Sequence, residues 1–208
     1  MARNYNPEIA NAVRDFLDND DWHYSFDNEN GLFRFGVTLP GKMRNLQYVV
    51  DINERDYNVY AMSPVSADQE EPETMRQMAE FVCRANYGLR DGNFELDFRD
   101  GDLRYKCYMN CNGSMPSREM VETTIKCPAT MFERYSKGIL QILFNDMSAA
   151  DAIDLCEGMQ APPVSDDTEE EDTSSHLMEL LRSLRESSGN AGNDDEDSED
   201  DNPEDFGE

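Results

Sequence analysis

The sequence predicts an α+β protein, an antiparallel meander sheet with helices packed on one face. Three observations predict it. Runs that alternate apolar and polar residues come in pairs, closed at Asn30-Gly31, Glu54-Arg55 and Asp100-Gly101. Apolar residues at helical spacing precede, separate and follow those pairs. From Ala161 the composition turns to Asp, Glu, Ser, Asn and Gly, too poor in apolar groups to offset chain entropy. Residues 1–160 therefore read as one folded domain, and residues 161–208 as an acidic disordered tail.

Asn6-Pro7-Glu8 carries the marks of a helix start: a capping amide, proline at the first helical position and an acid in the first turn. Ile9, Val13, Phe16 and Leu17 supply its apolar stripe, and Asp18 to Asp21 ends it. Trp22, Tyr24 and Phe26 then alternate with polar residues. A two-residue turn at Asn30-Gly31 pairs Phe26 with Phe35, Tyr24 with Val37 and Trp22 with Leu39, while Asp27 faces Arg34. Pro40-Gly41 reverses the chain. Strands Leu46 to Asn53 and Asp56 to Met62 close around Glu54-Arg55, which sets Ile52 against Tyr57, Val50 against Val59 and Tyr48 against Ala61. The other face of this hairpin is less polar than a solvated face should be. Val49 pairs there with Tyr60, and Met62 lies two residues on. These three are the candidate binding residues, unless a helix or the tail covers them.

Asp68 to Glu71 has the form of a capping box opening a helix. Met75, Met78, Phe81, Val82 and Ala85 make its buried stripe, and Gly88 can supply a left-handed cap. In the next hairpin a two-residue turn at Asp100-Gly101 faces Phe98 with Leu103, Leu96 with Tyr105 and Phe94 with Cys107. The same register puts Arg99 on Asp102, Asp97 on Arg104 and Glu95 on Lys106 outside. A long helical stretch begins near Pro116-Ser117. Pro128 removes a backbone donor within it and predicts a break or kink near Cys127. Met131, Phe132, Tyr135, Ile139, Ile142 and Leu143 continue the apolar face. Ser148 with Asp151 caps a last short helix through Cys156. Within the tail, Leu177, Leu180, Leu181 and Leu184 fall at i, i+3, i+4 and i+7, an amphipathic helix near 174–187. It is too short to stand alone in water and is expected to dock on something, this chain's own domain included.

The 208 residues carry a formal net charge of −27. From Ala161 onward 18 acids meet 2 bases; before it, 27 acids meet 16 bases. So negative a surface repels phosphate backbones and anionic lipid, which argues against nucleic acid and membrane as partners. No apolar run approaches the ~18 residues a bilayer demands. Met1 to Glu8 is polar and short of bases, unlike a signal peptide. Five cysteines, without a CxxC, indicate free thiols and a cytoplasmic setting. Neither His23 nor His176 has the spacing of a ligand pair or a dyad, and there is no GxGxxG, Walker loop or HExxH. The reading is a protein without catalytic residues, metal or cofactor.

Four segments carry a family resemblance: FLDNDDWHYSFDNENGLFRFGVTLPG from Phe16, LQYVVDINERDYNVYAMSPVSAD from Leu46, FVCRANYGLRDGNFELDFRDGDLRYKCYM from Phe81, and CPATMFERYSKGI from Cys127. Together they resemble the YbjN domain family over roughly Asn6 to Glu157, most specifically around Arg84 to Leu89. The resemblance implies a fold like that of type III secretion chaperones: a helix, an antiparallel meander, a helix, a hairpin and a closing helix, often as a homodimer. Four strands precede the middle helix here, one more than that description has. The resemblance implies no catalytic residues, and its members are labelled sensory-transduction regulators. The function expected is therefore a non-enzymatic, chaperone-like module that holds a peptide or helix of a partner protein, with a small-ligand-responsive regulator as the alternative.

Overall fold

A computed structural model describes residues 3–158. The expectations for the tail, including its boundary at 161 and the Leu177, Leu180, Leu181 and Leu184 helix, lie outside the described residues.

Helix α1 (Pro7–Asn19) starts as its letters dictate: the Asn6 side chain accepts the Glu8 N–H at 2.8 Å and the Ile9 N–H at 3.4 Å. It buries Ile9, Val13, Phe16 and Leu17. Strands β1 (Ser25–Asp27), β2 (Leu32–Thr38), β3 (Asn45–Ile52) and β4 (Asp56–Met62) follow, then helix α2 (Pro72–Tyr87), strands β5 (Asn93–Leu96) and β6 (Leu103–Asn110), and helices α3 (Arg118–Asn145) and α4 (Ala149–Glu157). The fold is α+β, and every strand pair is antiparallel. Strand order is β1-β2-β3-β4-β6-β5. The first four strands are a true meander. After α2 the chain returns at the sheet edge as β5, and β6 then enters between β5 and β4.

Burial alternates along the strands. Tyr48, Val50 and Ile52 of β3, Tyr57, Val59 and Ala61 of β4, and Tyr105 and Cys107 of β6 are buried on one face, beneath the helices. Residues between them are exposed or half-buried. The β3–β4 hairpin has the expected register: Ile52 faces Tyr57, Val50 faces Val59, Tyr48 faces Ala61.

The other two hairpins are shifted by two residues. Phe26 pairs with Phe33, and Phe94 pairs with Tyr105. The cause is the same at both turns. An aspartate four residues before the glycine closes a wider loop: Gly31 N–H donates to the Asp27 carbonyl at 2.9 Å, and Gly101 N–H to the Asp97 carbonyl at 2.8 Å. The Asp27 carboxylate also accepts the Glu29 and Asn30 N–H groups, and Asp97 accepts the Arg99 N–H. Both glycines take the left-handed φ this loop requires, +69° and +75°. Phe98 is consequently 66% exposed instead of facing Leu103. Of the expected outer pairs, Asp27–Arg34, Arg99–Asp102 and Asp97–Arg104 do not face across the strands; Glu95 meets Arg104 at 2.6 Å, with Lys106 at 3.9 Å. Trp22 and Tyr24 precede β1, yet they pack edge-on against Phe35 and Phe33.

Three helix details also differ. Asp68 holds a turn by accepting the Glu70 N–H, and α2 starts later, at Pro72 with Glu71 as its cap. Gly88 ends α2 in a right-handed conformation, φ −97°. Helix α3 runs through Pro128 as one 28-residue element with no break at Cys127. An internal proline costs about 3 kcal/mol. Burial of Val121, Ile125, Phe132, Tyr135, Ile139 and Ile142 along the same helix, at about 1.5–3 kcal/mol per side chain, outweighs that. Ser148 caps α4 by accepting the Asp151 N–H, as its spacing predicts.

One side chain does the work of a missing strand. Phe94 turns its N–H and C=O away from β6, and Asn86 at the end of α2 accepts the former at 2.8 Å and donates to the latter at 2.9 Å. Asn86 thus closes the β5 edge at that point. Asn86→Leu should cost about 2–3 kcal/mol, since it strands both backbone groups. Chemical denaturation would show this, and a neutral result would mean that water replaces the amide.

Candidate functional site

The sheet is open next to that closed position. Cys111 N–H donates to the Arg55 carbonyl at 2.8 Å, and Ser63 N–H to the Leu103 carbonyl at 2.9 Å. Odd-numbered residues of β6 therefore bond toward β4, and even-numbered ones point toward β5. Pairing with β5 stops at Asn93 and Lys106. Tyr108 and Asn110, next in phase, point their N–H and C=O groups to an edge with no strand partner among the described residues. Gly92 is the reason. Its φ of +76° turns the chain out of the strand, and a Cβ there would sit 2.6 Å from the Lys106 carbonyl oxygen. The Asp91 carbonyl, turned inward, accepts the Tyr105 hydroxyl and lies 3.5 Å from Cys127 Sγ.

Beside this edge lies a cleft of about 580 Å³ between β6 and the first half of α3. Tyr108, Met109 and Met120 give it apolar walls, with Tyr108 and Met120 substantially exposed. Arg90 and Lys106 are set against Asp91 and Glu119, so the lining is charge-balanced in a strongly acidic chain. Thr124 and Cys127 lie along the α3 wall, with Cys107 opposite them on β6. The Thr124 hydroxyl donates to the Met120 carbonyl one turn back.

The two thiols are unlike each other. Cys107 is buried, and the neighbouring Cys127 thiol, with desolvation added, pushes the Cys107 thiol up. The Cys107 thiol in turn holds the half-buried Cys127 thiol down at about 7, against the opposing effect of its own burial. Burial pushes the Tyr105 hydroxyl up, and Cys127 adds to the shift. Among the described residues no group of three or more His, Cys, Asp or Glu could hold a metal ion. The described helices include none long and apolar enough to cross a membrane.

Val49, Tyr60 and Met62 lie together on the sheet face away from the helices. Val49 is directly opposite Tyr60, and Met62 is one step along the same face. No helix of the described residues covers them. All three are half-buried; the Arg104 guanidinium stacks 4.5 Å from the Tyr60 ring centre and Lys106 Nζ lies 5.9 Å from it. Sequence reasoning found this face because pairing around Glu54-Arg55 was legible. It missed the cleft, which depends on where β5 stops and on which strand lies beside β6. The one available signal was Gly92, two residues before Phe94.

The fold and site define a class: an α+β domain with an unpaired strand edge beside a cleft of mixed polar and apolar lining. The chain belongs to the YbjN family, whose model matches residues 10–141 and whose description reads "Putative bacterial sensory transduction regulator". That description names a regulator and no enzyme activity. A search of the curated proteins found no match.

Proposed function

We infer that this protein is a non-enzymatic regulatory module that binds an extended segment of a partner protein by adding it as a strand beside β6. The open backbone of Tyr108 and Asn110, next to walls of tyrosine and methionine, carries this reading. Backbone groups supply affinity that tolerates many sequences, and methionine adapts to varied side chains. The function is chaperone-like in that the partner is held and not transformed.

Tyr108→Pro tests it. Besides the ring, the substitution removes an N–H that points off the sheet edge, so the fold loses no internal backbone hydrogen bond. Tyr108→Thr keeps the N–H and removes the ring. The intact protein and both variants are used as bait in a lysate of the source cells, and hydrogen exchange is measured on any complex. A partner held by strand addition protects the Tyr108 and Asn110 amides and binds the proline variant about tenfold more weakly. Equal recovery by all three forms, with unprotected edge amides, overturns the reading.

A small-ligand regulator is the second reading, because the cleft volume falls among those of small-molecule pockets, roughly 300–1,000 Å³. A ligand that raises the melting temperature of wild type and Tyr108→Pro alike favours it. The face bearing Val49, Tyr60 and Met62 is a separate surface, suited to a homodimer contact. Tyr60→Glu would then shift a concentration-dependent dimer to monomer in sedimentation without affecting edge binding.

A further inference from the structure

The cleft contains a feature that partner binding does not use: two thiols lining the same cleft, one buried and one half-buried, on different elements. Cys107 projects from β6 into the core, directly under Gly92, where an added Cβ would lie 2.8 Å from its sulfur. Cys127 projects from α3 and lines the cleft. Its sulfur lies 3.5 Å from the Asp91 carbonyl oxygen and 4.0 Å from the Tyr105 hydroxyl. Gly92 matters because any side chain there would collide with the Cys107 sulfur and the Lys106 backbone.

We propose that Cys107 and Cys127 form a redox-responsive pair that a hydroperoxide entering the cleft converts to a disulfide. Both sulfurs line the cleft; Cys127 is the attacking thiol because it is the less buried of the two, and Cys107, 4% exposed, is the resolving thiol. In the first step the Cys127 thiolate forms an S–O bond to a peroxide oxygen and the O–O bond breaks. The sulfur is oxidised to sulfenic acid, and the peroxide is reduced to alcohol or water as its leaving oxygen takes a proton. In the second step the Cys107 sulfur attacks the Cys127 sulfur. An S–S bond forms, the S–O bond breaks, and the hydroxide leaves as water with the proton from Cys107. Two thiols and one hydroperoxide give one disulfide, one alcohol and one water.

The opposite shifts of the two thiols agree with this division of roles. Cys127 is held down at about 7, below the ordinary thiol range, while Cys107 is pushed up and keeps its proton. An ordinary thiol of pKa ~8.5 is ionised only to about 3% at pH 7, but each ionised sulfur of lower pKa is a weaker nucleophile; the net gain is about threefold. Rate alone is therefore a modest signature, and the linkage formed is the stronger one. Closing the bond brings α3 and β6 together across the cleft, since bonded sulfurs sit ~2.05 Å apart.

The test uses the full chain, fully reduced and then dosed with hydrogen peroxide without partner. Free thiols are blocked at intervals and peptides are mapped by mass spectrometry. The expected product is an intramolecular Cys107–Cys127 linkage, formed before the exposed Cys83 is oxidised. Cys107→Ser should leave Cys127 as a sulfenic acid that a 1,3-dione traps, and Cys127→Ser should leave Cys107 reduced. If either variant fails to fold, the wild-type peptide map still decides the matter. Cys107 and Cys127 remaining reduced after Cys83 is consumed overturns the proposal. So does a linkage between two chains through Cys83.

Discussion

Phe94→Ala is expected to lower the free energy of unfolding by about 3–5 kcal/mol, the range for emptying a buried phenylalanine site. Phe94 is 2% exposed at the meeting point of four elements. Its ring lies edge-on to Tyr105 at 4.8 Å, Phe132 at 5.3 Å and Tyr135 at 5.6 Å. Its backbone is held by Asn86 from α2. The truncation therefore leaves a cavity bounded by β6 and α3 and removes three aromatic contacts at once. Rigid neighbours prevent collapse into it: Tyr105 is tied to the Asp91 carbonyl and Tyr135 to Glu157 at 2.8 Å. Urea denaturation reads the loss directly. A change under about 1 kcal/mol would show that this cluster refills and does not anchor β5.

Raising the pH above 10 should unfold the protein cooperatively, with tyrosinate absorbance appearing in the same transition as loss of helix signal. Tyr48 and Tyr57 are fully buried, and their hydroxyls have no hydrogen-bond partner. Burial pushes Tyr57 from 10.0 up to about 12 and pushes Tyr48 up further. A raised folded-state pKa means that the folded form holds its proton more tightly. Below pH 10 neither state is ionised and stability is unaffected. Between 10 and 12 the unfolded chain ionises first, so stability falls with rising pH. For Tyr57 alone the loss reaches about 3 kcal/mol across that window. Tyr57→Phe should flatten the slope. It should also leave neutral-pH stability equal or higher, because an unpartnered buried hydroxyl costs about 1–3 kcal/mol. Tyrosine ionisation complete before any unfolding would show that water reaches these rings.

The helices and their faces were legible because their signals are local. Asn6, Ser117 and Ser148 cap the helices that follow them, and the apolar stripes of α1 and α3 are the buried ones. Expectation failed at the loops for an equally local reason. Asn30-Gly31 and Asp100-Gly101 were read as two-residue turns, while Asp27 and Asp97, each four residues before the glycine, make loops that begin earlier. Alternation cannot detect this error, because a slip of two residues leaves every side chain on its original face. The candidate cleft was illegible for a different reason. Nothing local reveals that β6 lies beside β4, that Gly92 ends β5 early, or that Cys127 of α3 meets Cys107 of β6.

By itself, then, the order of residues determined which segments are helix or strand, which face of each is buried, and the register around Glu54-Arg55, because caps, stripes and alternation act over a few residues. Tertiary structure alone decided the insertion of β6, the passage of α3 through Pro128 and the capping of Phe94 by Asn86. Each of these offsets a local cost with contacts between residues far apart in the chain, and such contacts exist only once the layers have packed.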